Sequence, residues 1–84
     1  MIRYSLTQHA QDRLEKRQIQ IEWIERAVTA PELIEADRSD PDLRHYLVTI
    51  PEYGKRVLRV IVNETTIPVN IVTFYFDRSM RGKL

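Results

Sequence analysis

One histidine and two arginines recur every four residues near the start of the chain. In a helix, at about 100° per residue, His9, Arg13 and Arg17 fall within about 80° of one another. The apolar stripe of this helix begins at Ala10, about 100° from His9. The cationic row therefore lies along the edge of the apolar stripe, and Lys16 lies on its other flank. We call His9, Arg13 and Arg17 the helix row.

Cleavage of RNA without a metal ion needs side chains of these types. A base must accept the proton of a ribose 2′-hydroxyl, an acid must protonate the leaving oxygen, and a cation must stabilise the charge at phosphorus. Histidine suits the proton transfers because it titrates near neutral pH, and arginine binds phosphate oxygens. The sequence therefore predicts His9 as general acid or base, with Arg13 and Arg17 as phosphate ligands.

A second set of polar side chains lies in the later, β-forming part of the chain. His45, Arg59 and Tyr75 are predicted to support the same chemistry, and we call them the sheet set. Purely structural roles for these side chains and for the helix row are alternatives that stay open. The two arginines of the helix row can cover the edge of the core with their aliphatic stems, and Arg59 and Tyr75 can be an ordinary cross-strand pair.

The charge is unevenly distributed along the chain. The net charge is +1, but residues 1–42 carry six basic and nine acidic side chains, whereas residues 43–84 carry seven and three. A basic half favours contact with a polyanion such as RNA, although small domains also divide in this way by chance. The side chains expected to bind the nucleic-acid backbone are Lys16, Arg56, Arg78, Arg81 and Lys83.

Composition argues against several other kinds of site. The chain has no cysteine and two histidines, so no transition-metal site is predicted. Two glycines are too few for a glycine-rich phosphate loop, and no cofactor is expected. The N-terminal residues lack the apolar run of a signal peptide and no segment is apolar enough to span a membrane. The expected location is the cytoplasm.

The order of elements follows from hydrophobic periodicity. A first helix is predicted over residues 7–17 with Thr7 as its N-cap, and a second over 21–30, ended by Pro31. Alternation then predicts an antiparallel β-meander over 33–77, with strands over 33–38, 43–50, 56–63 and 69–77, followed by a basic tail, 78–84. The expected fold is α+β: one domain over residues 1–84, with two N-terminal helices packed on a four-stranded antiparallel sheet.

Strand alternation also assigns side chains to the two sheet faces. The face expected to receive the helices holds the apolar residues Tyr46, Val48, Ile50, Leu58, Val60, Val62, Val72, Phe74 and Phe76. The opposite face is mixed, with Glu35, Asp37, His45, Thr49, Arg59, Thr73, Tyr75 and Asp77 beside Leu43, Leu47, Val57, Ile61 and Ile71. This mixture fits solvent exposure, a ligand surface or a contact between two copies of the chain.

Several motifs together resemble one small bacterial family across nearly the whole chain. They are His9-Ala10-x-x-Arg13-Leu14-x-x-Arg17, then Ile19, Trp23-Ile24 and Val72-Thr73-x-Tyr75. The chain resembles the uncharacterised family catalogued as domain of unknown function 4258. Families of this appearance are thought to be related to the RelE/ParE-like toxin superfamily. Its members are small α+β proteins that cleave RNA or poison gyrase and are neutralised by an antitoxin.

The resemblance implies a RelE/ParE-like fold, an RNA substrate and an antitoxin-like protein partner, and a homodimer is a further expectation. Two alternatives stay open. The chain can be a non-enzymatic module that binds nucleic acid or protein through the same basic edge. It can also be a degenerate toxin relative in which the helix row is purely architectural, with its side chains bound to carboxylates or backbone carbonyls.

Overall fold

The structure, a computed structural model, describes residues 4–17 and 19–84, and the side chain of Arg17 lies outside its described part. The regular elements are β1 (Tyr4–Leu6), α1 (Gln8–Arg17), α2 (Ile21–Thr29), β2 (Leu33–Ala36), β3 (Leu43–Ile50), β4 (Arg56–Asn63) and β5 (Val69–Phe76). Two 3₁₀ turns, Pro51–Tyr53 and Arg78–Met80, follow β3 and β5. The expected α+β class with two helices is confirmed.

The sheet differs from the predicted four-stranded antiparallel meander. Within the described residues it has five strands in the order β1-β5-β4-β3-β2, and β1 runs parallel to β5 while the other pairs are antiparallel. The prediction missed β1 because three residues are too short for a periodic signal. This strand covers the backbone edge that β5 would otherwise expose, and it half-buries Tyr4 and Leu6 against the core.

The two helices pack on one face of the sheet. Thr7 begins α1 as predicted, since its hydroxyl accepts the backbone N–H of Ala10 at 3.1 Å. Both helices bury their apolar stripes against the strand residues of the core. The core consists of Ala10, Ile19, Trp23, Ile24, Ala27, Val28, Val48, Ile50, Leu58, Val60, Val62, Ile71 and Phe74. No helix in residues 4–17 and 19–84 is long and apolar enough to cross a membrane.

Alternation assigns the faces correctly except at one irregularity. The register between β4 and β5 shifts at Ile61/Val62, so Val62 pairs with Ile71 and Ile61 with Thr73. Val72, predicted to face the helices, is thus the extra residue of a β-bulge and is not among the described residues that form the core or pack against it. The placement of Ile71 on the face opposite the helices is wrong, because the bulge returns this side chain to the core, where it is fully buried.

The strand ends also correct the prediction. The first strand of the predicted meander, β2, ends at Ala36 and not at residue 38. Asp37 there accepts the backbone N–H groups of Ser39 and Asp40, which turns the chain out of the sheet. The strand β5 ends one residue early because Asp77 caps the following 3₁₀ turn. The tail, 78–84, is predicted to have no regular structure, but its first three residues form this turn.

Candidate polar site on the helix-free face

A line of hydrogen-bonded side chains crosses the sheet on the face that the helices leave free. It runs from Asp37, after β2, through His45 on β3 and Arg59 on β4 to Asp77, after β5. The strand registers place His45 and Arg59 at positions that point to this face, and the two aspartates directly follow β2 and β5. Four neighbouring strands therefore contribute to one polar row.

Asp37 divides its two carboxylate oxygens between the turn and the row. The oxygen Oδ2 accepts the backbone N–H groups of Ser39 and Asp40 at 3.1 and 2.9 Å. The other oxygen, Oδ1, lies 2.7 Å from His45 Nε2. Because the turn holds the carboxylate in place, it fixes the orientation of the imidazole ring.

The partners of His45 determine where its proton lies. Arg59 Nη1 is 2.8 Å from His45 Nδ1, and a guanidinium can only donate. The ring nitrogen Nδ1 must therefore accept, and the proton is assigned to Nε2, from which it is donated to Asp37. The ring is a neutral imidazole with one hydrogen bond on each side, and its side chain is 15 % exposed.

Arg59 is the centre of the row and is surrounded by carboxylates. Its Nε donates to Asp77 Oδ2 at 2.9 Å, and its Nη1 also donates to Glu35 Oε1 at 3.2 Å. The Arg59 side chain is 12 % exposed, and its bond to Asp77 is part-buried, whereas Glu35 is an exposed partner. The negative charges of two carboxylates thus offset the positive charge of one guanidinium.

Two polar groups at this site keep free hydrogen-bonding capacity. Arg59 Nη2 and the hydroxyl of Tyr75, its cross-strand neighbour, have no partner among the described residues. No buried side-chain nitrogen or oxygen in that part of the chain lacks a partner, so both groups must reach solvent. Both residues line a cleft of about 440 Å³, which we call the polar cleft. Ser79 and Met80 line it as well.

The two aspartates of the row are held in their ionised form. The hydrogen bond with His45 is the main reason that the pKa of Asp37 is held far below its usual range, and the turn N–H groups of Asp40 and Ser39 lower it further. The hydroxyl of Ser79 is the main cause that lowers the pKa of Asp77, with further lowering by Arg59, against an opposing effect of burial. The row therefore carries fixed negative charge at both ends at neutral pH.

The structure separates the helix row from the sheet set. The helix α1 packs with Ala10 on the core side of the sheet, whereas His45, Arg59 and Tyr75 point to the other side. His9 is exposed and accepts a hydrogen bond from Arg13 Nε at 3.0 Å. No carboxylate or backbone carbonyl binds these two side chains in the described structure, and the Arg17 side chain lies outside it.

The residues predicted to bind a nucleic-acid backbone also lie in different parts of the structure. Arg56, Arg78 and Arg81 line a second cleft, of about 380 Å³, which we call the arginine cleft. Lys83 is exposed in the tail beyond them, and Lys16 is exposed on α1, on the core side of the sheet. Asp77 lines both clefts, so the arginine cleft and the polar cleft adjoin.

The two row aspartates were not among the predicted site residues, although the sequence carries a signal for them. The tripeptide Asp-Arg-Ser occurs at 37–39 and again at 77–79, each time directly after a strand. In both copies the serine N–H and hydroxyl bind the aspartate. In both, the second carboxylate oxygen is left to bind a cationic or imidazole side chain of the sheet.

These features define a class of protein: a small α+β domain whose helices cover one sheet face and whose other face carries an Asp–His–Arg–Asp row beside two clefts. A family model described as Domain of unknown function (DUF4258) matches residues 6–76. The chain belongs to this family. No curated protein and no solved structure matches the chain.

Proposed function

We propose that this chain is a RelE/ParE-like, toxin-related domain that cleaves RNA without a metal ion, in the polar cleft. The observation that carries the proposal is the free Nη2 of Arg59 and the free hydroxyl of Tyr75 beside an imidazole fixed by Asp37. A phosphate-binding cation and two groups able to move protons are the parts that the reaction requires.

The reaction begins when a phosphodiester binds Arg59 Nη2. The phosphate then competes with Glu35 for Nη1, and this draws the guanidinium away from His45 Nδ1. The exposed Nδ1 accepts the proton of the ribose 2′-hydroxyl, whose oxygen forms a bond to phosphorus. The bond to the 5′-oxygen breaks, and that oxygen takes the proton of Tyr75. The products are a 2′,3′-cyclic phosphate and a 5′-hydroxyl, and the proton returns from His45 to Tyr75 through water.

Asp37 and Arg59 support the charged states of this reaction. The imidazolium that forms on His45 faces Asp37 Oδ1 at 2.7 Å, which stabilises the new positive charge. The guanidinium, in a side chain that is 12 % exposed, stabilises the extra negative charge at phosphorus. Asp77 keeps Arg59 in place through Nε.

A non-enzymatic module that binds nucleic acid is the second candidate, and a specific observation favours it. Glu35 and Asp77 already offset the charge of Arg59. A phosphate must therefore displace a carboxylate before it gains full contact with this arginine. In this alternative, RNA binds at the neighbouring arginines and passes over the polar cleft without reaction.

The experiment is an RNA cleavage assay in chelator with purified wild type, His45→Ala and Tyr75→Phe. Loss of a general acid or base is expected to lower the rate about 10²-fold or more. The matched control is Tyr46→Phe, which removes a hydroxyl one residue from His45 but on the core side, where it binds Glu64. The expected product carries a 2′,3′-cyclic phosphate.

The same assay decides between the candidates. Wild type that binds RNA but leaves it intact establishes the binding module and rejects the ribonuclease. His9→Ala tests the helix row, which stays a prediction: a loss of cleavage in this variant alone would move the chemistry to α1. The proposed partners are RNA and an antitoxin-like protein, which would neutralise the domain by covering the polar cleft.

A further inference from the structure

The arginine cleft contains three guanidinium groups that have no acidic partner among the described residues. Arg56 begins β4, whereas Arg78 and Arg81 belong to the 3₁₀ turn after β5 and to its C-cap. Residues three apart in a 3₁₀ turn lie on the same side, so the last two arginines project together. In residues 4–17 and 19–84, none of the three forms an ion pair.

The acidic side chains nearest to this cleft are already bound elsewhere. Asp77 gives one oxygen to Ser79 and the other to Arg59. Glu52, in the loop before β4, holds Arg26 with two hydrogen bonds of 2.9 and 2.8 Å. The arginine cleft has three arginines and one carboxylate, already bound to Arg59, in its lining, so positive charge is in excess and favours an anion as ligand.

Local contacts order the cleft before any ligand arrives. Arg81 Nη2 donates to the carbonyl of Gly54 at 2.9 Å, which ties the tail to the loop between β3 and β4. Arg56 lies over the ring of Tyr53, 4.8 Å from its centre. Two of the three guanidinium groups are thus positioned, and this lowers the entropy lost when they bind.

Aromatic rings beside the charges indicate the kind of anion. Phe76 lines the cleft, and the centre of the Tyr53 ring lies 5.0 Å from the centre of the Phe76 ring, in a residue that is 43 % exposed. Phosphate-binding cations next to aromatic faces are the combination that single-stranded nucleic acid needs, because unpaired bases stack on such rings. An acidic peptide would bind the charges but would gain no base stacking on the exposed part of Tyr53.

The arginine cleft lies next to the polar cleft, and Asp77 lines both. Val57, which lines the arginine cleft, is two residues before Arg59 on β4, about 7 Å along a strand. Neighbouring nucleotides of one extended strand can therefore occupy both clefts at once. We infer that the arginine cleft is a subsite for a phosphodiester of single-stranded RNA, next to the one that Arg59 binds; this inference rests on the proposed function.

The test measures binding separately from cleavage. A fluorescent 2′-O-methyl oligoribonucleotide of about 12 nucleotides, within the site sizes known for single-strand binders, has no free 2′-hydroxyl and cannot be cleaved by the proposed reaction. Its affinity is measured by anisotropy over a range of salt concentrations, with wild type, Arg78→Gln and Arg81→Gln. Glutamine keeps most of the side-chain length and removes the charge. Thermal melting confirms that each variant is folded.

We expect each variant to bind several-fold more weakly than wild type, with a salt dependence reduced by about 0.7 in log–log slope for one lost phosphate contact. The control is Arg44→Gln, which removes one charge on the core side, where Arg44 lies 4.0 Å from Glu64. Its affinity and slope should match wild type.

Equal binding by all four proteins, an equal loss in Arg44→Gln, or no binding by wild type would overturn the subsite. Failure of the proposed function has a different signature. If wild type binds the oligonucleotide through these arginines but leaves natural RNA intact, the subsite stands and the ribonuclease is rejected.

Discussion

Each aspartate of the polar row serves a turn and a side chain at the same time. In Asp77, Oδ1 accepts the backbone N–H and hydroxyl of Ser79 at 3.0 and 2.6 Å, while Oδ2 accepts from Arg59. An ionised carboxylate can accept all of these bonds, whereas a protonated one loses part of that capacity. The hydrogen bonds to Ser79 and Arg59 therefore depend on the ionised state of the Asp77 carboxylate.

This coupling predicts a pH dependence for stability. The pKa of Asp77 is lowered in the folded protein from 3.8, mainly by Ser79. A lowered pKa stabilises the fold fully above the unfolded value, and this contribution is lost as the pH falls below 3.8 towards the folded value. We expect Asp77→Asn to lower the free energy of unfolding at neutral pH and to flatten its acid limb.

Urea unfolding between about pH 2 and 6 measures this effect. Asp42→Asn is the control, because Asp42 is exposed and its carboxylate has no hydrogen-bond partner in the described structure. An acid limb equally steep in wild type and Asp77→Asn would refute the assignment of this carboxylate.

At the level of elements, Thr7 joins the first strand, the first helix and the last strand. Its hydroxyl accepts the N–H of Ala10 and donates to the carbonyl of Val72, and its backbone N–H donates to Ile71. The bulge in β5 brings these two carbonyls into reach. One threonine therefore caps α1 and fixes the helix against the edge of the sheet.

We expect Thr7→Ala to lower the free energy of unfolding by about 1–2 kcal/mol, the usual effect of a lost N-cap. Thr29→Ala is the matched control, since its exposed hydroxyl only donates to the carbonyl of Glu25 within α2. Because alanine has the higher helix propensity, this control should stay within about 0.5 kcal/mol of wild type. Chemical denaturation of both variants measures the difference, and equal effects would contradict the capping role.

The elements that repeat a period over eight or more residues were predictable. The strands β3 and β4 have the predicted bounds, and α1 starts after the predicted cap. Two features had no periodic signal. The strand β1 has three residues, and the bulge that moves Ile71 into the core depends on pairing between strands, which a single sequence does not fix.

Three residues of the candidate site were predictable, but the roles of its two aspartates and its separation from the helix row were not. Alternation placed His45, Arg59 and Tyr75 on one face, and the structure brings them to one cleft. The helix row and the sheet set lie on opposite faces because both helices pack on the same side. That choice depends on the tertiary packing of α1, and helical periodicity defines only which side of α1 is apolar.

At the scale of the whole molecule, the sheet separates the helix-covered core from the residues of the proposed chemistry. One face carries the core with both helices, and the other carries the polar row. Neighbouring residues on one strand therefore serve different purposes: Leu58 is fully buried among the core residues, and Arg59 lies in the polar cleft. A domain of this size has a small core and limited stability. Truncation of a core residue should therefore remove a large part of its free energy of unfolding.

This separation predicts opposite outcomes for two variants. Leu58→Ala is expected to lower the free energy of unfolding by about 2–5 kcal/mol, since it leaves a cavity under the helices. Its RNA cleavage, expressed per folded molecule, should stay near wild type. Tyr75→Phe is expected to change stability by less than about 0.5 kcal/mol, because its hydroxyl has no hydrogen-bond partner among the described residues, and to lower the cleavage rate about 10²-fold or more. Denaturation and cleavage measured on the same samples check both expectations. A variant pair in which activity simply follows stability would show that the two faces are not independent.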